Sequence, residues 1–145
     1  MPTIQRILVP INGTAESLKA LSLASELART HQAQICLLLV TYFKIETDDN
    51  LAYSSWLATP LTGSVSRYVE AVFKRAKDLL LPDLEVNTYH LSGQPATEIL
   101  TFTKTHDIDL IIMGCRRLSL FSSIINGSTS RQILEKSTCP VLIVK

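Results

Sequence analysis

At 145 residues the chain is of single-domain size, long enough to bury a core. A hydrophobic share of 46% excludes a disordered polymer, and 14 Lys+Arg against 13 Asp+Glu leave a net charge of +1, too balanced for general binding to nucleic acid or a membrane surface. No apolar run approaches the roughly 20 residues that a bilayer crossing needs, and the start, Met1-Pro2-Thr3-Ile4-Gln5-Arg6, shows no apolar signal-peptide region.

The apolar run from Ile4 to Pro10, centred on Ile7-Leu8-Val9, has the length and β-branched content of a buried strand. Pro10-Ile11-Asn12-Gly13-Thr14 stops it. Ala15 to Thr30 has helical spacing, with Leu18, Leu21, Ala24, Leu27 and Ala28 on one face and Asn12 or Thr14 as the cap. Ile35 to Val40 is a second buried strand. Residues 43–62 read as a polar, irregular loop, and loops this long are usually functional or mobile. Its Asp48-Asp49-Asn50 lacks the full spacing of a calcium loop, and Tyr53 and Trp56 read as pins to the body.

From Ser64 to Leu81 the helical period is the clearest in the chain. Val65, Tyr68, Val69, Val72, Phe73, Ala76, Leu79 and Leu80 form one stripe, and Pro82 ends it. Glu85 to Leu91 alternates polar and apolar, the pattern of a strand near a sheet edge. Gly93-Gln94-Pro95 turns the chain into a helix with Pro95 first and Ala96, Ile99, Leu100 and Thr103 inward. Ile108 to Met113 is a fourth strand. After a linker, Ser128 to Lys136 is the last helix, with Thr129 and Gln132 at capping-box spacing, and Pro140 to Val144 is a fifth strand.

Strict alternation of apolar strands and helices implies one parallel sheet sandwiched between helices. Ligands of such sheets sit beyond the carboxyl ends of the strands, where strand order reverses. Pro10-Ile11-Asn12 and Met113-Gly114 are the two strand ends expected to meet there. Gly114, and then Gly127 opening a hydroxyl-rich helix start, make a candidate phosphate site, because a helix N-terminus offers free N–H groups.

Other chemistries fail on inspection. The sequence holds no GxxxxGK[ST], no GxGxxG and no G-x-S-x-G elbow. His31, His90 and His106 lack metal-ligand spacing and read as solvent-facing. No general base stands beside the glycine segment, so the chain is not expected to be an enzyme, with slow nucleotide hydrolysis left as a distant third reading. Cys36, Cys115 and Cys139 form no CxxC pair, which suits a reducing cytoplasm. Cys36 and Cys139 read as buried small hydrophobes. Cys115, beside Arg116 and Arg117, reads as a turn filler or a reactive thiol.

Over its whole length, 1–145, the chain resembles the universal stress protein family as a single domain. The nucleotide-binding branch carries G-x2-G-x9-G-[S/T] after the fourth strand. Here that register reads Gly114-Cys115-Arg116-Arg117, nine residues, then Gly127-Ser128. Ile7-Leu8-Val9-Pro10 followed by Asn12-Gly13-Thr14, then Gly93-Gln94-Pro95-Ala96, then Cys139-Pro140-Val141-Leu142-Ile143-Val144 are similar to the family in the same order. The expected fold is α/β: a single open parallel five-stranded sheet with helices on both faces, Rossmann-like, in strand order 3-2-1-4-5.

The resemblance implies that Pro10, Ile11, Asn12, Val40, Met113, Gly114, Arg116, Arg117, Gly127, Ser128, Thr129 and Ser130 bind ATP, ADP or AMP, with or without Mg. The backbones of Gly114, Gly127 and Ser128 and the hydroxyls of Ser128, Thr129 and Ser130 would cradle phosphates. Val40 and Met113 would line the adenine pocket. It also implies a homodimer, in which the apolar edge strand Pro140 to Val144 pairs with its copy. Two positions depart from the pattern. Arg117 replaces the second glycine, and either pairs with phosphate through its guanidinium or faces solvent. Asn12 replaces an acidic residue, keeping one acceptor and gaining a donor, so that base or ribose contact survives while a metal contact weakens. If both mark a lost site, the chain is a nucleotide-free dimeric interaction protein of the same fold.

Overall fold

A computed structural model describes residues 3–12, 14–41, 63–114 and 129–145. Its described elements are β1 (Arg6–Ile11), α1 (Ala15–His31), β2 (Gln34–Thr41), α2 (Gly63–Asp78), β3 (Val86–Ser92), α3 (Pro95–Thr105), β4 (Leu110–Gly114), α4 (Thr129–Lys136) and β5 (Val141–Val144). The strands form one five-stranded sheet in the order β3-β2-β1-β4-β5, with every neighbouring pair parallel. The sheet therefore has the expected order, and the carboxyl ends of β1 and β4 are neighbours.

Alternation along the strands sends side chains to two cores. On one face Ile7, Val9, Ile11, Ile35, Leu37, Leu39 and Ile112 pack with Leu18, Leu21, Ala24 and Ala28 of α1 and with Val72 and Ala76 of α2. On the other, Leu8, Cys36, Leu38, Ile111 and Met113 pack with Ile99 and Phe102 of α3 and Ile133 of α4. The two central strands are apolar on both sides because both sides are covered, which removes the alternation seen in β3. In β3 every second residue, Thr88, His90 and Ser92, is exposed, as an edge strand requires.

Local chemistry sets the element ends. The N-cap of α1 is Thr14, whose hydroxyl accepts from the Ser17 N–H, so the cap falls to Thr14 and not to Asn12. At the other end Gln32 adopts φ 55°, and the Ala33 N–H donates to the Ala28 carbonyl at 2.8 Å. This closes the helix as a Schellman-type turn with a non-glycine in the left-handed position. The N-cap of α3 is Gln94, and Pro95 follows at the first helical position.

Several expectations need correction. Pro10 does not end β1, which continues to Ile11. Tyr68 and Leu79 are 37% and 46% exposed, not inward. For Leu79 the reason is plain: α2 stops at Asp78, and the chain then tightens, with the Leu79 N–H bonded to the Ala76 carbonyl, so helical spacing no longer applies. His106 is half-buried, stacked on Phe102 at 3.7 Å with Tyr89 edge-on, and does not simply face solvent. Cys139 is half-buried. Thr129 is already helical, which removes it from the capping position. The 43–62 stretch, with Tyr53 and Trp56, and Cys115 lie outside the described residues.

Candidate functional site at the carboxyl ends of β1 and β4

β1 and β4 part early. The β1–β2 ladder runs through six pairs, from Arg6↔Gln34 to Ile11↔Leu39, whereas the β1–β4 ladder holds only Ile7↔Leu110 and Leu8↔Ile111. Proline explains the asymmetry. The Asp109 N–H donates to the Arg6 carbonyl at 3.0 Å, and the Gln34 N–H donates to the Gln5 carbonyl at 2.8 Å. Even-numbered members of β1 thus aim their peptide groups at β4, and odd-numbered ones at β2. Pro10 is even-numbered and has no N–H to give. Pairing to β4 thus lapses beside the order reversal, the place where sheets of this kind take their ligands.

Three candidate side chains share the α3–α4 face at this end. Met113 is buried there, Val40 is half-buried against the same core, and Pro10 is buried with Leu38 as its partner across the β1–β2 ladder. Ile11 turns the opposite way, into the core under α1, and its peptide groups face β2, so it stands apart from the other candidates. Gly114 ends β4 opposite Val144. Thr129 and Ser130, both half-buried, open α4, which packs on the Met113 face through Ile133. Arg116, Arg117, Gly127 and Ser128 lie outside the described residues.

Asn12 is exposed at the rim, and three of its polar atoms are engaged. Its N–H donates to Ser17 Oγ at 3.2 Å. Its carbonyl accepts from the Tyr68 hydroxyl at 2.7 Å. Its Oδ1 accepts from the Thr14 N–H at 3.1 Å and from the Thr14 hydroxyl at 2.6 Å. A backbone N–H can only donate, so the atom facing it is the oxygen and Nδ2 faces away. Extending the β1–β2 register by one residue sets Asn12 level with Val40.

Sequence reasoning missed other groups. Tyr68 ties α2 to the rim, a role its place in an apolar stripe concealed. At the opposite end of the strands, Asp109 Oδ2 accepts from the Gln5 and Arg6 N–H groups at 2.8 and 2.9 Å and clasps β4 to β1. Arg6 Nη1 donates to the His106 carbonyl at 2.8 Å beside that clasp. On β2 and β3, Thr41 Oγ1 lies 2.9 Å from His90 Nε2 and 3.2 Å from Ser92 Oγ. Among the described residues no group of His, Cys, Asp and Glu could hold a metal ion, and no helix is long and apolar enough to cross a membrane. Burial pushes the Cys36 thiol above its ordinary range; the Arg6 charge opposes that shift and the Glu85 charge adds to it.

Residues 3–145 match the model of the Universal stress protein family. The chain belongs to that family. Universal stress protein YxiE of Bacillus subtilis is 30% identical over 145 residues, spanning 97% of this chain and 98% of the relative. Among solved structures, universal stress protein UspA from Lactobacillus plantarum superposes with a TM-score of 0.75 at 22% identity, over 100% of both chains. A universal stress protein in complex with cAMP superposes at 0.72, with 18% identity over 99% of this chain and 98% of the other. Further universal stress proteins of this fold are complexes with dAMP, from Archaeoglobus fulgidus, at a TM-score of 0.64, and with AMP, from Arabidopsis thaliana, at 0.63. The fold of this universal stress protein is thus the five-stranded parallel α/β sheet of those structures.

Proposed function

We propose that this universal stress protein binds an adenine nucleotide (ATP, ADP or AMP) at the β1–β4 crevice and acts as a ligand-responsive regulatory module. The observation that carries the reading is the arrangement at the rim. Val40 and Met113 give apolar walls on one sheet face. The exposed Asn12 amide stands level with Val40 beside the lapse in pairing at Pro10. An apolar slot with a few fixed polar groups suits a nucleobase. Phosphates are assigned to Gly114 and to the start of α4, Thr129 and Ser130, together with Arg116, Arg117, Gly127 and Ser128 by the sequence motif. Helix N–H groups can hold them without a lysine. Related structures with cAMP, dAMP and AMP support the choice of adenylate.

The module works as a homodimer in the cytoplasm. Its β5 edge strand leaves Leu142 37% exposed, and Leu134 on the adjoining α4 is 53% exposed, an apolar margin that a second copy would cover. Cys36 and Cys139 are free thiols, which suits a reducing compartment. Titration calorimetry with AMP and ATP tests the ligand. Saturable heat with either supports the reading, and silence with both at millimolar concentration overturns it in favour of a nucleotide-free dimeric interaction protein. Light scattering at micromolar concentration tests the dimer, which a monomer mass overturns.

A further inference from the structure

Of the four polar atoms of Asn12, one is left over. Its N–H, its carbonyl and its Oδ1 are all bonded, to Ser17, Tyr68 and Thr14. Nδ2 has no partner among the described residues and belongs to an exposed side chain. The orientation is not open to reversal, because turning the amide over would set Nδ2 against the Thr14 N–H, donor against donor. The residue is thus held from β1, from the start of α1 and from α2, while Nδ2, turned away from Thr14, keeps both its hydrogens without a partner among the described residues.

We propose that Asn12 determines what this site accepts. It presents a preorganised, uncharged N–H donor to an acceptor-only group of the nucleotide, such as a ring nitrogen or a phosphate oxygen, so binding proceeds without a divalent cation. Tyr68 is the positioning residue that holds the Asn12 backbone. This deepens the nucleotide reading and rests on it. A carboxylate at the same place would still accept both Thr14 bonds with one oxygen. Its other oxygen would present charge and a lone pair, which repel an acceptor-only group unless a cation intervenes. An amide offers a cation only the oxygen already engaged by Thr14. Donors whose positions are fixed before the ligand arrives lose little freedom on binding.

The test is AMP affinity by calorimetry, in EDTA and in millimolar Mg2+, for the wild type, Asn12→Ala, Asn12→Asp and Tyr68→Phe. The wild type should bind equally in both buffers, within about twofold. Asn12→Ala should weaken binding about tenfold, the worth of a single hydrogen bond. Asn12→Asp should weaken it more in EDTA, and Mg2+ should recover part of the loss. Tyr68→Phe should weaken binding severalfold alone and add nothing to Asn12→Ala, a non-additivity that general destabilisation would not produce. Wild-type binding that requires Mg2+, or Asn12→Asp binding as tightly as wild type in EDTA, overturns the assignment of the donor while leaving the nucleotide reading intact. Full additivity of Tyr68→Phe with Asn12→Ala overturns the role of Tyr68. No heat from the wild type in either buffer, with AMP or with ATP at millimolar concentration, overturns both this inference and the nucleotide reading beneath it.

Discussion

Ile133 is the buried residue of α4, fully enclosed among Leu8, Ile99, Phe102, Ile111 and Met113. A helix of eight residues does not form alone in water. Its docking therefore depends on this side chain, and with it the placement of Thr129 and Ser130. Ile133→Ala deletes three carbons, worth about 2.4 kcal/mol of transfer free energy at about 0.8 each. The cavity raises the loss to about 3–4 kcal/mol if the surrounding core does not collapse. In a chain of this size about 3 kcal/mol lowers Tm by about 6–12 °C. Calorimetry gives the global loss, and amide exchange gives its location. We expect amides of α4 to lose protection before those of β1 and β2, because the helix can detach while the sheet stays paired. A Tm within about 2 °C of wild type, with α4 amides still protected, would refute the claim that Ile133 anchors the helix.

Pro10→Ala supplies the N–H that β1 lacks toward β4. We expect that new amide to be protected from exchange and the net stability change to stay under about 1 kcal/mol, since the gained bond and the lost rigidity of proline nearly cancel. A freely exchanging amide at position 10 contradicts the assignment of its direction. Gln32→Gly relieves a left-handed backbone in a side-chain-bearing residue and should stabilise by about 1 kcal/mol, raising Tm by about 2–4 °C in thermal unfolding. The raised thiol of Cys36 fixes the sign of a pH effect. As pH climbs past the ordinary thiol range the unfolded chain loses this proton first, so the stability that the neutral thiol contributes at lower pH falls away until the folded thiol also ionises. Urea unfolding across that range should show a decline that Cys36→Ala flattens, and an identical slope in both proteins would remove Cys36 as its source.

The parts of this fold legible in the sequence are those a period or a run of apolar residues encodes. Ile7-Leu8-Val9 and Ile35 to Val40 announce strands covered on both faces, and the alternation from Glu85 to Leu91 announces a strand near an edge, found at Val86–Ser92. Periodicity fails where the element ends, as at Leu79, because beyond the last helical hydrogen bond it no longer reports direction. It also gives no warning of polar tips on apolar bodies. Tyr68 sits in a hydrophobic stripe, and its hydroxyl reaches a carbonyl 56 positions away. Phe102 and His106 stand at helical spacing with Ile99, a signal that could have identified the inner face beyond Leu100. Nothing local could have found the Asp109 clasp, since its partners lie more than 100 positions upstream.

On the proposed reading two jobs meet in Asn12, and they fall to different atoms. Its oxygen serves the start of α1 through Thr14, and a carboxylate could do the same with equal reach. Its nitrogen serves no structural bond among the described residues. The structural bonds shown at this position would therefore be met by either side chain, and on the proposed reading the choice between them acts on whatever approaches from the crevice. Across the crevice the apolar wall and the helix are instead set together. Met113 and Ile133 share one core, so the packing that fixes α4 also fixes the apolar wall beside it. The lapse in pairing at Pro10 is set by the backbone, independent of both. A departure from the family motif in one atom of one side chain can thus retune what the rim accepts without disturbing the sheet, the helix cap or the anchor of α4.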